Sequence, residues 1–185
     1  MLPTILDLSS LRAAYQSGTT PLDVIEAVIA RRAASTDPAI FITATPDDTL
    51  RAAAKKLMAR APEPNSLPLW GIPFAVKDNI DVAGLPTTAA CPAYAYQPET
   101  DATVAARLTA AGAIVIGKTN LDQFATGLNG TRSPYGAPRS VFDPAYVSGG
   151  SSSGSAVAVA SGVATFALGT DTAGSGRVPA AFNNL

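Results

Sequence analysis

The chain has no histidine among its 185 residues. A Ser-His-Asp triad therefore cannot be assembled from it. It has one cysteine, Cys91, which excludes an intrachain disulfide and a cysteine-based metal site. Charge is also scarce, at 15% of residues, with 13 basic against 14 acidic side chains and a net charge of −1. That balance leaves no electrostatic footprint for nucleic acid or for an anionic membrane. Residues 156–169 form a weakly polar run, but it is too short and too interrupted by Ser and Gly to span a bilayer. Residues 1–7 lack the basic patch and apolar segment of an export signal. With a lone cysteine, the expectation is a reducing cytoplasm, where Asn129-Gly130-Thr131 is a turn and not a glycosylation acceptor. Lysine is the last scarcity, being limited to Lys55, Lys56, Lys77 and Lys118. A serine nucleophile in this chain must take its base from these amines, from a carboxylate or from another hydroxyl.

Apolar residues, by contrast, make up 47% of the chain, enough for a sizeable core in a single domain. Helical spacing and cap residues predict helices at Leu8–Gln16, capped by Ser9 or Ser10, and from Thr20 with Pro21 in the first turn. A further helix is predicted at Pro46–Ala61, with Asp47 and Asp48 early and Lys55, Lys56 and Arg60 late, an order that complements the helix dipole. Shorter ones are predicted at Thr103–Ala111, Leu121–Thr126 and Gly154–Ser161. Strands are predicted at Ala39–Ala44, Leu69–Val76, Ala113–Ile116 and Thr165–Leu168. Strands alternating with helices give an α/β class with a partly parallel sheet. Residues 127–150 form a long loop, and long loops in compact domains are often functional. Residues 179–185 read as the first turn of a helix that nothing follows. The expectation is one domain truncated at its C-terminus, with a helical lead-in (1–65) and a catalytic core segment (66–185).

Chemistry concentrates between Val147 and Pro179, where two Ser/Gly-rich loops flank a helix and strand of small apolar residues. Such loops let backbone N–H groups converge on an anion. Candidate hydroxyls are Ser148, Ser151, Ser152, Ser153, Ser155, Ser161 and Ser175. A phosphate loop is disfavoured, because Val115-Ile116 precedes Gly117-Lys118-Thr119 where a glycine-opened loop is needed. Lys55 and Lys56 fall on a solvated helix face. Lys77 ends an apolar strand, the position where ligands bind α/β sheets. Desolvation there lowers a lysine's proton affinity and makes it a usable base. A simple ion pair with Asp78 or another carboxylate would account for Lys77 equally well, and Lys118 ends a strand in the same way. Chemistry alone does not choose between the two lysines.

Four segments carry a resemblance: 71–79 (Gly-Ile-Pro-Phe-Ala-Val-Lys-Asp-Asn), 117–125 (Gly-Lys-Thr-Asn-Leu-Asp-Gln-Phe-Ala), 149–156 (Gly-Gly-Ser-Ser-Ser-Gly-Ser-Ala) and 168–175 (Leu-Gly-Thr-Asp-Thr-Ala-Gly-Ser). In this order they resemble the amidase-signature family of Ser-Ser-Lys amide hydrolases. Residues 130–136 (Gly-Thr-Arg-Ser-Pro-Tyr-Gly), with Ala173 and Gly176 where most relatives have Gly and Ile, resemble its allophanate-hydrolysing subgroup. The resemblance implies a mixed β-sheet core covered by helices, of which this chain would be the N-terminal portion. It assigns Ser175 as nucleophile, Ser151 as a bridging serine held in a cis peptide, and Lys77 as base. Backbone N–H groups of Thr172, Ala173 and Gly174 would form the oxyanion hole. Gly149, Gly150, Ser152, Ser153 and Asp171 would support the site, with Asp171 and Arg177 as structural partners. The implied reaction is hydrolysis of allophanate to ammonia and CO2 in urea catabolism, with a small amide as the substrate and neither nucleic acid nor membrane as partner. A homodimer and a functional link to a biotin-dependent urea carboxylase are also implied, and the implied mechanism needs no cofactor and no metal. The alternatives are another amidase of the family, including the amidotransferase component that serves misacylated tRNA, and an inactive fragment lacking the rest of the fold.

Overall fold

Local sequence decides where the helices begin. Asp7 accepts the Ser10 N–H at 2.9 Å and thereby caps the first helix, α1 (Leu8–Gln16). The cap is thus Asp7 and not Ser9 or Ser10, whose hydroxyls instead donate to the same carboxylate. A carboxylate prevails over a hydroxyl here because it can accept several donors at once. The second helix, α2 (Pro21–Ala34), opens with a reciprocal capping box between Thr20 and Asp23, with Pro21 in the first turn. The third, α3 (Asp47–Arg60), has Asp47 and Asp48 in its first turn, as expected. The remaining helices are α4 (Thr103–Ala110), α5 (Ser153–Ala160) and α6 (Arg177–Phe182). This computed structural model describes residues 2, 3 and 5–185. The part of the N-terminal reading that falls on Met1 and Thr4 lies outside the described residues.

Four strands, β1 (Phe41–Ala44), β2 (Pro73–Lys77), β3 (Ile114–Thr119) and β4 (Phe166–Leu168), form one sheet in the order β1-β3-β2-β4. β2 runs parallel to both β3 and β4, while β1 is antiparallel to β3. The sheet is therefore mixed, as the resemblance implied. β2 starts later than predicted because Gly71 takes a left-handed φ of 73° and turns the chain before Pro73. β3 runs on through Lys118 and Thr119, beyond its predicted end.

The helix predicted at Leu121–Thr126 does not form. Only a single tight turn, Gln123–Ala125, occurs, with Phe124 and Ala125 in the left-handed region at φ 52° and 59°. The cause is competition for backbone donors. Asp122 N–H goes to Ser151 O, Gln123 N–H to Arg132 O and Phe124 N–H to Ala89 O. These donors hold neighbouring loops together in place of a helical ladder.

The sheet separates two apolar layers. On one face, Ala75 and Ile116 pack with Leu11, Tyr15, Ile25, Val28, Leu50 and Val157 from the helices. On the other, Phe74 and Val76 pack with Val82, Leu85, Ala105 and Ala113. A bulge interrupts the β2–β3 register, where Phe74 pairs with Val115 but Ala75 with Gly117. Side chains alternate faces along a strand, so one extra residue moves every later side chain of β3 to the opposite face. Lys118 then shares a face with Val76, while Thr119 shares one with Lys77.

The approach of α5 to the sheet rests on Gly154, where an added methyl would lie 2.3 Å from Ile40 O and 2.6 Å from Asn120 N. Alanine is the better helix former by about 0.5–1 kcal/mol, yet overpacking costs about 1–3 kcal/mol. Gly154→Ala is therefore expected to lower the denaturant midpoint. An unchanged or raised midpoint would mean that α5 does not pack this closely.

Candidate active site

Strand alternation gives the two buried lysines different surroundings. Lys118 Nζ lies 3.1 Å from Asp78 Oδ1, and both side chains are fully buried. The pair is ionic without hydrogen-bond alignment, since Asp78 Oδ1 has no hydrogen-bond partner. Lys118 also donates to Thr87 Oγ1 at 2.9 Å and to Pro86 O at 3.1 Å. Burial lowers its proton affinity, and Asp78 opposes the shift. Asp78 is thus taken by Lys118, and among the described residues Lys77 forms no ion pair with it or with another carboxylate.

Lys77 faces hydroxyls instead. Its Nζ donates at 2.7 Å to Ser151 Oγ and at 2.7 Å to Thr170 Oγ1. Asn79 Nδ2 reaches the same Thr170 oxygen at 3.3 Å. Lys77 is fully buried. That burial pushes its pKa from 10.5 down to about 8, with Asp122 and Asp171 pulling it partly back. An amine that sheds its proton near neutrality, within hydrogen-bond reach of a serine, is a proton acceptor in waiting.

Ser151 is also fully buried, and it follows a cis peptide bond from Gly150. A methyl on Gly150 would lie 2.3 Å from Asp122 Oδ2 and 2.5 Å from Gly130 N, so only glycine fits there. Gly150 N–H donates to Leu128 O at 2.8 Å, and Ser151 O accepts the Asp122 N–H at 3.1 Å. Gly149 has a φ of 77° and packs against Pro179. Ser152 N–H donates to Ser175 O at 3.0 Å, which joins the two Ser/Gly loops one residue from Ser151. Ser175 is buried, and its hydroxyl makes no hydrogen bond among the described residues, only its carbonyl being engaged. The Lys77–Ser151 link is therefore closed, and the loop of Ser175 is tied to that of Ser151 through the Ser152 backbone.

The other candidate hydroxyls are engaged elsewhere. Ser152 exchanges hydrogen bonds with Thr170 at 3.3 Å, and Ser153 reaches Asn120 O at 3.5 Å. Ser148 donates to Gly149 O, Ser155 to Leu168 O and Ser161 to Ala158 O.

Asp171 organises the loop before Ser175. It accepts from the backbone N–H groups of Gly174, Gly176 and Arg177, and from the Arg177 guanidinium at 2.9 and 3.0 Å. The Arg177 guanidinium, with these N–H groups, holds the Asp171 carboxyl well below the usual carboxylate range. The expected pairing of the two residues is thus present. One expectation narrows: Gly174 N–H is directed at Asp171 at 2.7 Å and not toward a shared anion site. The N–H groups of Thr172 and Ala173 make no hydrogen bond among the described residues and remain open.

Two residues at this site were not singled out from the sequence. Thr170 follows the end of β4, and a strand end facing a buried lysine was the available signal. Asp122 is fully buried just past the end of β3, and its carboxylate accepts from Gly130 N at 3.0 Å and Arg132 N at 2.8 Å. A cavity of about 610 Å³ lies elsewhere, between α3 and the 82–86 segment, lined by Leu50, Leu57, Val82, Leu85 and Val115. It touches none of the serines.

A mixed sheet that carries a buried lysine to two Ser/Gly loops belongs to a known class. The family model described as Amidase matches residues 23–185, and the chain belongs to the amidase family. Its relatives include a urea amidolyase of Lachancea kluyveri, 61% identical over 155 residues, which are 84% of this chain and 8% of that protein. Another, from Symbiobacterium thermophilum, is a component of glutamyl-tRNA(Gln) amidotransferase; it is 45% identical over 187 residues, covering 98% of this chain and 38% of that protein. Among solved structures, Kluyveromyces lactis allophanate hydrolase superposes with a TM-score of 0.84 at 50% identity, over 94% of this chain and 29% of that one. The chain thus spans a minor part of the length of each relative.

The two lysines should respond differently to removal. Lys118→Met leaves Asp78 buried without its cation and is expected to cost about 3–5 kcal/mol in urea denaturation. Lys77→Met removes a buried amine whose direct partners are neutral, and is expected to cost about 1 kcal/mol or less. Equal losses would contradict this division of roles.

Proposed function

We propose that the chain is the N-terminal part of an amide hydrolase acting on allophanate, with Ser175 as nucleophile, Ser151 as relay and Lys77 as base. The observation that carries this reading is the fully buried Lys77 amine placed 2.7 Å from Ser151 Oγ. Neutral Lys77 accepts the Ser151 proton while Ser151 takes the proton of Ser175. Ser175 Oγ then bonds to the amide carbon. Thr172 and Ala173 N–H groups stabilise the oxyanion, an effect worth about 2.7–4 kcal/mol per donor. Ser151 returns a proton to the leaving nitrogen, the C–N bond breaks and ammonia departs. Water, deprotonated along the same path, cleaves the acyl ester, and the carboxylated product breaks down to ammonia and CO2. Gly149, Gly150, Ser152, Ser153 and Asp171 hold the loops in this arrangement.

Allophanate is favoured by the urea amidolyase and allophanate hydrolase relatives and by Ala173 and Gly176. The same relatives support a functional link to a biotin-dependent urea carboxylase, and action on a small cytoplasmic amide by a homodimer fits this setting. Similarity to the amidotransferase component over 98% of the chain supports a second reading, amide hydrolysis that supplies ammonia to a tRNA-linked reaction.

The test is ammonia release by the full chain that its native reading frame encodes, assayed with allophanate, simple amides and glutamine. Allophanate should be preferred, and Ser175→Ala and Lys77→Ala should each lose about 10³-fold or more in kcat. Preference for glutamine would favour the second reading, and an active Ser175→Ala enzyme would refute the nucleophile assignment. Because Lys77 acts in its neutral form, kcat/KM should rise with pH through about 8. At pH 7 about a tenth of the enzyme would then be competent. A rate that falls over this range would exclude Lys77 as the base.

A further inference from the structure

Asp122 is a buried carboxylate for which the hydrolytic scheme above has no use. It sits at a junction of three segments. Its N–H donates to Ser151 O at 3.1 Å. Its Oδ2 accepts the Gly130 N–H at 3.0 Å, and its Oδ1 the Arg132 N–H at 2.8 Å. The carboxylate also fills the space beside Gly150 and Gly127, where added methyl groups would lie 2.3 and 2.6 Å from Oδ2. Gly150 N–H in turn donates to Leu128 O within the same 122–132 loop. The loop, pinned in part by this side chain, therefore holds the residue before Ser151 and the carbonyl of Ser151 itself.

We infer that Asp122 is a positioning residue for the proposed reaction: it braces the Gly150–Ser151 segment against Lys77. The inference rests on the hydrolase reading and adds a determinant of its pH dependence. The other charged groups around Lys77 are already engaged. Asp171 also pulls on the amine but is held by Arg177. Asp78 pairs with Lys118 on the opposite face of the sheet, Asp81 accepts from Tyr96, and the Arg132 guanidinium donates to Thr126 O. Asp122 is fully buried, whereas Asp171 is partly exposed, so water screens Asp122 less.

Two substitutions in the full chain test charge and position. Asp122→Asn removes the charge at nearly constant shape, but its amide can accept only one of the Gly130 and Arg132 N–H groups, so kcat falls as well. The acid limb of the kcat/KM profile should move to lower pH by about one unit, the lower end of the effect of a nearby opposite charge. Asp122→Glu keeps the charge, but its longer side chain cannot fit beside Gly150 without displacing Ser151. Its acid limb should stay in place while kcat falls about tenfold or more, with KM changed less. A limb unmoved in Asp122→Asn, or a wild-type kcat in Asp122→Glu, would overturn the inference. Should one variant fail to fold, the other still decides its own half. A wild-type chain that releases no ammonia from any amide would instead defeat the hydrolase reading, and this is visible before either variant is compared.

Discussion

A lysine amine shut away from water and set against two hydroxyls is the constraint around which this molecule is arranged. Burying an amine with only neutral hydrogen-bond partners disfavours its charged form, so the surroundings must be held rigidly enough to enforce that burial. β2 supplies the position, its five residues all buried between the two apolar layers. The Ser/Gly loops close over its end, and Thr170 provides the second hydroxyl. The neighbouring carboxylates weaken the shift without cancelling it, which leaves Lys77 with a pKa of about 8.

The bulge in β3 separates the two lysines. Without the extra residue, Lys118 would lie on the same face as Ile116, toward α5 and the serine loops. With it, Lys118 turns to the other face and meets Asp78 in a buried ion pair. Asp78 follows Lys77 directly, so the pair also fixes the end of the strand from which Lys77 projects. Thr88 adds to this, donating its N–H to Asp78 at 2.9 Å. One buried lysine is thus paired with a carboxylate, and the other is held among hydroxyls, although both lie at the C-terminal ends of parallel strands in similar sequence settings.

The α/β class and most helices were legible in the sequence because they follow from periodicity and caps that act locally, and the mixed sheet was implied by the resemblance. Thr20-Pro21-Leu22-Asp23 is such a signal, and it forms the capping box it encodes. The failures share a different cause. Leu121–Thr126 has helical composition, but its donors serve Ser151, Arg132 and Ala89, partners distant in sequence. The choice between Lys77 and Lys118 was equally invisible to composition and spacing, since it depends on a bulge that shifts a register. The serines and Lys77 could be named from the resemblance, whereas Thr170 and Asp122 emerge only from tertiary contacts. Gly174 illustrates the same limit: its N–H direction is set by the Asp171 side chain and not by glycine content.

The charge state of Lys77 can be observed directly. With the chain labelled with nitrogen-15 in lysine only, the Lys77 Nζ signal, assigned by its loss in Lys77→Met, can be followed by NMR as a function of pH. Titration of that signal near pH 8 is the result expected from its burial. A midpoint above pH 10, in the range of a solvated lysine, would contradict the account at its foundation.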